Sequence, residues 1–184
     1  NVAWVRSMAK FWNFVLFQIG WFACIIGAAN EQVLWPVIGT LLYLAIHIWR
    51  SEHSKLELKL ILKAVIFGVS ADTLIANLGF LYFKDAWPSP YLSPFWMWTL
   101  WALVASTING SLSWLRGRPW LGAALGAIAG PMSYEAGIRM GAGSWGPNGQ
   151  LGGLALLAIV WGVAMPLFFY WHRRHVGSSL IQNQ

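Results

Sequence analysis

The chain has 184 residues, of which 58% are hydrophobic and 10% charged, with 14 tryptophans; soluble domains carry about a quarter of charged residues, so this composition excludes a wetted globular surface. A formal net charge of +6 ordinarily suggests nucleic acid. Here the basic residues are scattered over short connections and end segments, which argues against a nucleic-acid face and fits anionic head groups instead.

A membrane-crossing helix needs roughly 20 apolar residues to cover ~30 Å of hydrocarbon, and six such stretches nearly exhaust the chain. The expectation is an all-α polytopic membrane protein, residues 1–184 forming one domain of six transmembrane helices with both termini cytoplasmic. Span one covers 10–29, with Arg6 and Lys10 at its start. Its polar interior and the spans behind it make it a retained helix and not a cleaved signal peptide. Its one cysteine, Cys24, is the chain's only one and implies no disulfide framework. The turn at Asn30, Glu31 and Gln32 carries no positive charge, and span two follows over 33–49.

Residues 50–63 form a basic cytoplasmic segment in which Lys55, Lys59 and Lys63 share one helical face at four-residue spacing. It reads as an interfacial lead-in to span three, 58–83, with the lysine stems reaching back to the head groups. Pro88, Pro90 and Pro94 forbid regular helix in the following loop. Span four covers 95–115 and ends at Arg116 and Arg118; span five covers 120–140. A glycine-rich loop then leads to span six, 154–171, which stops at His172, Arg173, Arg174 and His175. Trp4, Trp12, Trp35, Trp49, Trp87 and Trp120 fall near span ends, as interfacial belts require.

Of the 12 lysines and arginines, only Lys84 and Arg139 fall outside the segments that share one side in this arrangement. That segregation follows from the bias against moving positive loops across a membrane, and it places both ends inside.

Polar residues concentrate in helices one, three and five, so helix six is expected to be peripheral. Asp72 is the sharpest of them: near the middle of span three, an ionised carboxylate costs ~3 kcal/mol in lipid and must face protein, water or a counter-charge. It reads either as a proton carrier, ion ligand or catalytic acid, or as a packing carboxylate held by Gln18, Asn77 or Asn109. Glu135 and Arg139, four apart in the favourable order, read as an intrahelical pair or as an acid beside an anion-holding arginine. Tyr134 adds a phenolic donor beside them, and Asp72 with Glu135 would form a dyad if helices three and five touch. Asp72, Glu135 and Tyr134 are therefore the candidate catalytic residues, and Gln18, Asn77, Asn109 and Arg139 the candidate substrate-binding ones.

Gly122, Gly126 and Gly130 recur every fourth residue and offer a neighbouring helix close approach. Pro131 removes a backbone donor just beyond them. Trp96, Trp98 and Trp101 line a lipid or isoprenoid groove in one reading and face lipid in another. His47, His172 and His175 do not form a recognisable metal-ligand set, and no phosphate loop, dinucleotide fingerprint, HExxH or CxxC is present. The residues identify no cofactor.

The segments FWNFVLFQIGWFACIIGAAN, SADTLIANLGF and AGPMSYEAG, with their embedded polar residues, resemble the pattern of a family of bacterial inner-membrane proteins catalogued as domain of unknown function 2878. The resemblance covers about Lys10 to His172. It implies a multi-pass protein of the bacterial inner membrane, with genes often beside those for fatty-acyl-modifying enzymes, and it assigns no catalytic residue. The leading expectation is an enzyme or accessory subunit in membrane-lipid modification; a proton-coupled small-molecule transporter and a structural membrane subunit stand as alternatives. The expected partner is membrane lipid, with a membrane-protein partner or a second copy of the chain also open, and no nucleic acid.

Overall fold

The computed structural model describes residues 2–182, with side-chain surroundings for 7–174; the side chains of Trp4, Arg6 and His175 lie outside the described residues. Among them the chain forms helices α1 (Val2–Ala29), α2 (Leu34–Arg50), α3 (Ser54–Asn77), α4 (Phe95–Thr107), α5 (Pro119–Arg139) and α6 (Gln150–Gln182). Two short strands, β1 (Leu81–Phe83) and β2 (Gly143–Trp145), pair antiparallel. The fold is all-helical apart from that ribbon. Two stretches, Ser7–Ala29 and Gln150–Arg174, are long and apolar enough to cross a membrane.

Two helices, α3 and α4, end several residues short of the sequence expectation, each for a local reason. Span three, drawn to residue 83, stops at Asn77 because Gly79 adopts φ +74° and the amides of Gly79 and Phe80 cap the carbonyls of Ala76 and Ile75. This is the paired bonding of a glycine-terminated helix. The chain then leaves as β1. At the end of α5, Gly141 (φ +93°) and Ala142 cap Ile138 and Gly137 in the same way, and the glycine-rich loop leaves as β2. A Cβ on Gly143 would press on the carbonyl of Tyr82, so that glycine permits the pairing.

Span four, drawn to residue 115, ends at Thr107. The hydroxyls of Ser106 and Thr107 donate back to the carbonyls of Leu103 and Val104, offering the backbone an alternative to the helical ladder. Asn13 of α1 then accepts from the amide and hydroxyl of Ser111, and the chain turns through Ser113–Leu115 as one 3-10 turn.

The short helix α4 is the centre of the bundle. Trp96, Leu100, Trp101, Leu103, Ala105 and Ser106 are all buried, and α1, α2 and α3 pack around it. The hairpin of α5 and α6 packs against itself most extensively and docks through α6 on α3. Helix six is thus not peripheral: Leu157, Trp161, Ala164, Met165 and Phe168 are buried. Its apolar character supplies core packing. A Cβ on Gly126 or Gly130 would collide with Trp161, so the glycine stripe does bring the two backbones together.

The ribbon marks one end of the bundle. Lys10, Arg50 and Arg116 mark the other, called here the basic end.

Candidate functional site

Helices α1 and α5 touch at the ribbon end, where a Cβ on Gly137 would lie 3.1 Å from Ile25 Cδ1 and one on Gly141 3.5 Å from the Cβ of Ala29. Farther from the ribbon they enclose a cleft of about 600 Å³, within the size range of small-ligand sites. Phe14, Phe17, Gln18 and Trp21 line it from α1; Leu125, Ala129, Ser133 and Tyr134 from α5. Leu100, Trp101 and Val104 of α4 and Trp161 and Met165 of α6 complete its walls, with Ser111, Leu112 and Leu115 at the basic end. Phe14, Ile128 and Met132 are exposed at its edges, so its side is open. A further void of about 30 Å³ continues past Tyr134 toward the ribbon.

Asp72 lies behind the inner wall. It is fully buried, and its carboxylate accepts from Tyr134 Oη at 2.7 Å and from Trp101 Nε1 at 2.8 Å. Both donors belong to residues that line the cleft. Trp101 is fixed in turn by stacking on Trp161, with ring centroids 4.3 Å apart and planes 10° from parallel, and by α3, where a Cβ on Gly68 would overlap its indole. Chemically, the phenol of Tyr134 is a neutral donor tethered to the Asp72 carboxylate. Two hydrogen bonds satisfy a carboxyl group that would otherwise be costly to bury.

The sequence expectation brought Asp72 and Tyr134 into one candidate set, and the fold places them in contact. Glu135 is not with them. It points to the ribbon end, where its oxygens accept from Arg139 Nε at 2.6 Å and from Trp145 Nε1 and Gln150 Nε2, each at 2.9 Å. No hydrogen bond joins Asp72 to Glu135 among the described residues, so the expected dyad is absent. Consecutive positions on a helix point about 100° apart, which is why Tyr134 and Glu135 cannot serve one site. Arg139 is exposed and paired with Glu135, away from the cleft lining.

The partners expected for Asp72 are elsewhere. Asn77 donates to the carbonyls of Thr73 and Tyr91, tying α3 to the loop before α4. Asn109 donates to Glu57 Oε2 at 2.7 Å and accepts from Arg116. Gln18 lines the cleft, half-buried. Trp96 and Trp101 are core residues; only Trp101 of the three α4 tryptophans lines the cleft.

Sequence reasoning missed Trp101 and Trp161 as the Asp72 housing, and it missed Glu57. Glu57 is only 3% exposed, held by Asn109 and by His47 Nε2 at 2.9 Å. The signal was present: Glu57, Leu60, Ile61, Ala64, Gly68 and Asp72 fall on one helical face. Among the described residues no three His, Cys, Asp or Glu side chains gather as a metal site.

The family model described as Protein of unknown function (DUF2878) matches residues 10–167. No curated protein and no solved structure matches the chain.

Proposed function

We propose for this chain, which belongs to the DUF2878 family, a role in modifying the acyl part of a membrane lipid, as an enzyme or as the lipid-presenting subunit of one. The observation that carries this reading is the side-open apolar cleft whose wall includes a phenol hydrogen-bonded to a buried carboxylate. Lipid enters such a cleft from the bilayer without crossing water. Within it, Tyr134 is the group able to exchange a proton with the substrate, Asp72 takes up or returns that proton, and Trp101 holds Asp72 in place. Gln18 offers an amide to a polar atom of the substrate.

The membrane setting is part of the proposal. Large apolar side chains are exposed on α1, α2, α3, α5 and α6, among them Ile19, Leu42, Ile66, Ile128 and Ile159, an extent that marks a lipid-facing surface. With six helices crossing or entering the bacterial inner membrane and both termini in the cytoplasm, the basic end faces inward, a reading supported by the distribution of Lys and Arg. Reporter fusions at Ser51 and at Ser89 test this: opposite sides are expected, and the same side overturns the topology.

The functional test is the lipid profile of cells carrying the wild type, Asp72→Asn or Tyr134→Phe at matched membrane abundance. A species present with the wild type and lost with both variants is the expected result. A wild-type profile from both variants removes these residues from any chemistry.

A further inference from the structure

The cleft has two unlike ends. At the ribbon end it is closed by the contact of α1 with α5 and reaches Trp21, Met97 and Tyr134. At the basic end it is bordered by Phe14 and by Ser111 and Leu115 of the turn that carries Arg116 and Arg118. Asn13 binds Ser111, which fixes the start of α1, with Lys10, beside that turn. Lys10 precedes Phe14 by one helical turn and Phe17 by two, and so shares their face; Arg118 stands in the same relation to Gly122, Leu125 and Gly126 on α5. Both side chains are exposed, and neither makes an ion pair among the described residues. Arg116, also exposed, is engaged among the described residues by the neutral Asn109.

An apolar slot with three cations at one end and a closed opposite end is complementary to one kind of molecule. We propose that it holds one acyl chain of an anionic phospholipid from the cytoplasmic leaflet, its phosphate at Lys10, Arg116 and Arg118 and its chain end pointing toward Tyr134. Each cation near an anionic surface adds to such binding, and the open side admits a chain that remains attached to a bilayer-resident lipid. Phosphodiester lipid is favoured over free fatty acid because the cations are spread over α1 and the turn before α5, more than one carboxylate needs.

The consequence for the proposed function, on which this inference rests, is the position of attack. Arg118 and Tyr134 are separated by about 24 Å along α5, and Lys10 and Trp21 by about 16 Å along α1, at 1.5 Å per residue. Tyr134 therefore meets the distal part of the chain. It is remote from the ester and the head group.

The test uses the full chain in nanodiscs with two phosphatidylglycerol probes, one carrying a diazirine near the ester and the other near the chain terminus. After photolysis the near-ester probe is expected to label the Phe14 and Ser111 to Leu115 region, and the terminal probe the Met97, Ser133 and Tyr134 region. Lys10→Gln combined with Arg118→Gln lowers both yields several-fold, and Ala129→Phe, a change at an exposed wall position, abolishes them. Labelling in the reverse order, or without positional preference, overturns the orientation while leaving the proposed function standing. A fatty-acid diazirine that labels equally well and ignores the cation variants overturns the choice of phospholipid. Absence of labelling in the cleft removes both readings.

Discussion

Helix α3 carries two buried carboxylates, and they live in different worlds. Glu57, at its basic end, sits between His47 and Asn109, with Arg116 one hydrogen bond further on. Asp72, about 22 Å along the same face, is surrounded by aromatic rings and held by a phenol and an indole. The first joins α2, α3 and the segment after α4. The second joins α3, α4 and α5 at a wall of the cleft. The first acid braces three segments of the chain, whereas the second, held only by neutral donors, one of them a hydroxyl on a cavity wall, fits the proton exchange proposed above.

Substitutions can break this contrast. The largest effect is expected from Asp72→Leu, which strands the Tyr134 hydroxyl and the Trp101 N–H. Each unsatisfied group costs about 1–3 kcal/mol, so a clear fall in the thermal midpoint in detergent accompanies complete loss of function. Asp72→Asn keeps an acceptor and most of the stability, and its expected loss in lipid-modifying activity is about 10²-fold or more. Equal activity losses in Asp72→Asn and Glu57→Gln would erase the distinction between the two acids.

Gly68→Ala comes next. Its methyl group displaces Trp101 from α3, with an expected cost of about 1–3 kcal/mol from overpacking and a drop in activity through the loosened Asp72. Indole fluorescence and the thermal midpoint check it together. Glu57→Gln replaces one of the two acceptor oxygens that hold His47 and Asn109 and is expected to cost about 1 kcal/mol, the order of one hydrogen bond, with residual activity tracking folded protein only. The smallest effect belongs to Arg139→Gln: its partner Glu135 keeps Trp145 and Gln150, and the thermal midpoint and lipid profile should match the wild type.

Much of this arrangement was readable before the fold was seen. Glu135 and Arg139 pair at the four-residue spacing that suggested it, and Gly126 and Gly130 meet a helix as small-residue spacing implies. The ends of α3 and α4 were less legible, because apolarity continues through Leu81–Phe83 and through Leu112–Leu115 after the helical bonding has stopped. What ends α4 is a tertiary event, the capture of Ser111 by Asn13, 98 positions away. Glu57 was hidden by its neighbours: Lys55 and Lys59 made the segment look like a solvated lead-in, although the residue between them faces the core. The pairing of Asp72 with Tyr134 needed the third dimension, since spacing reveals which residues share a helix face but not which faces meet.

The brevity of α4 bears on the membrane itself. Thirteen residues rise only about 20 Å, against about 30 Å of hydrocarbon. In the proposed bilayer the missing length lies at the basic end, where Asn109, Ser111 and Ser113 replace what would be another helical turn. Because α1, α2 and α3 pack around α4, the shortfall is met inside the protein and the outer helices need not thin the bilayer. A polar floor sunk into the bundle in this way would let a head group settle deeper at the mouth of the cleft than the surrounding leaflet allows.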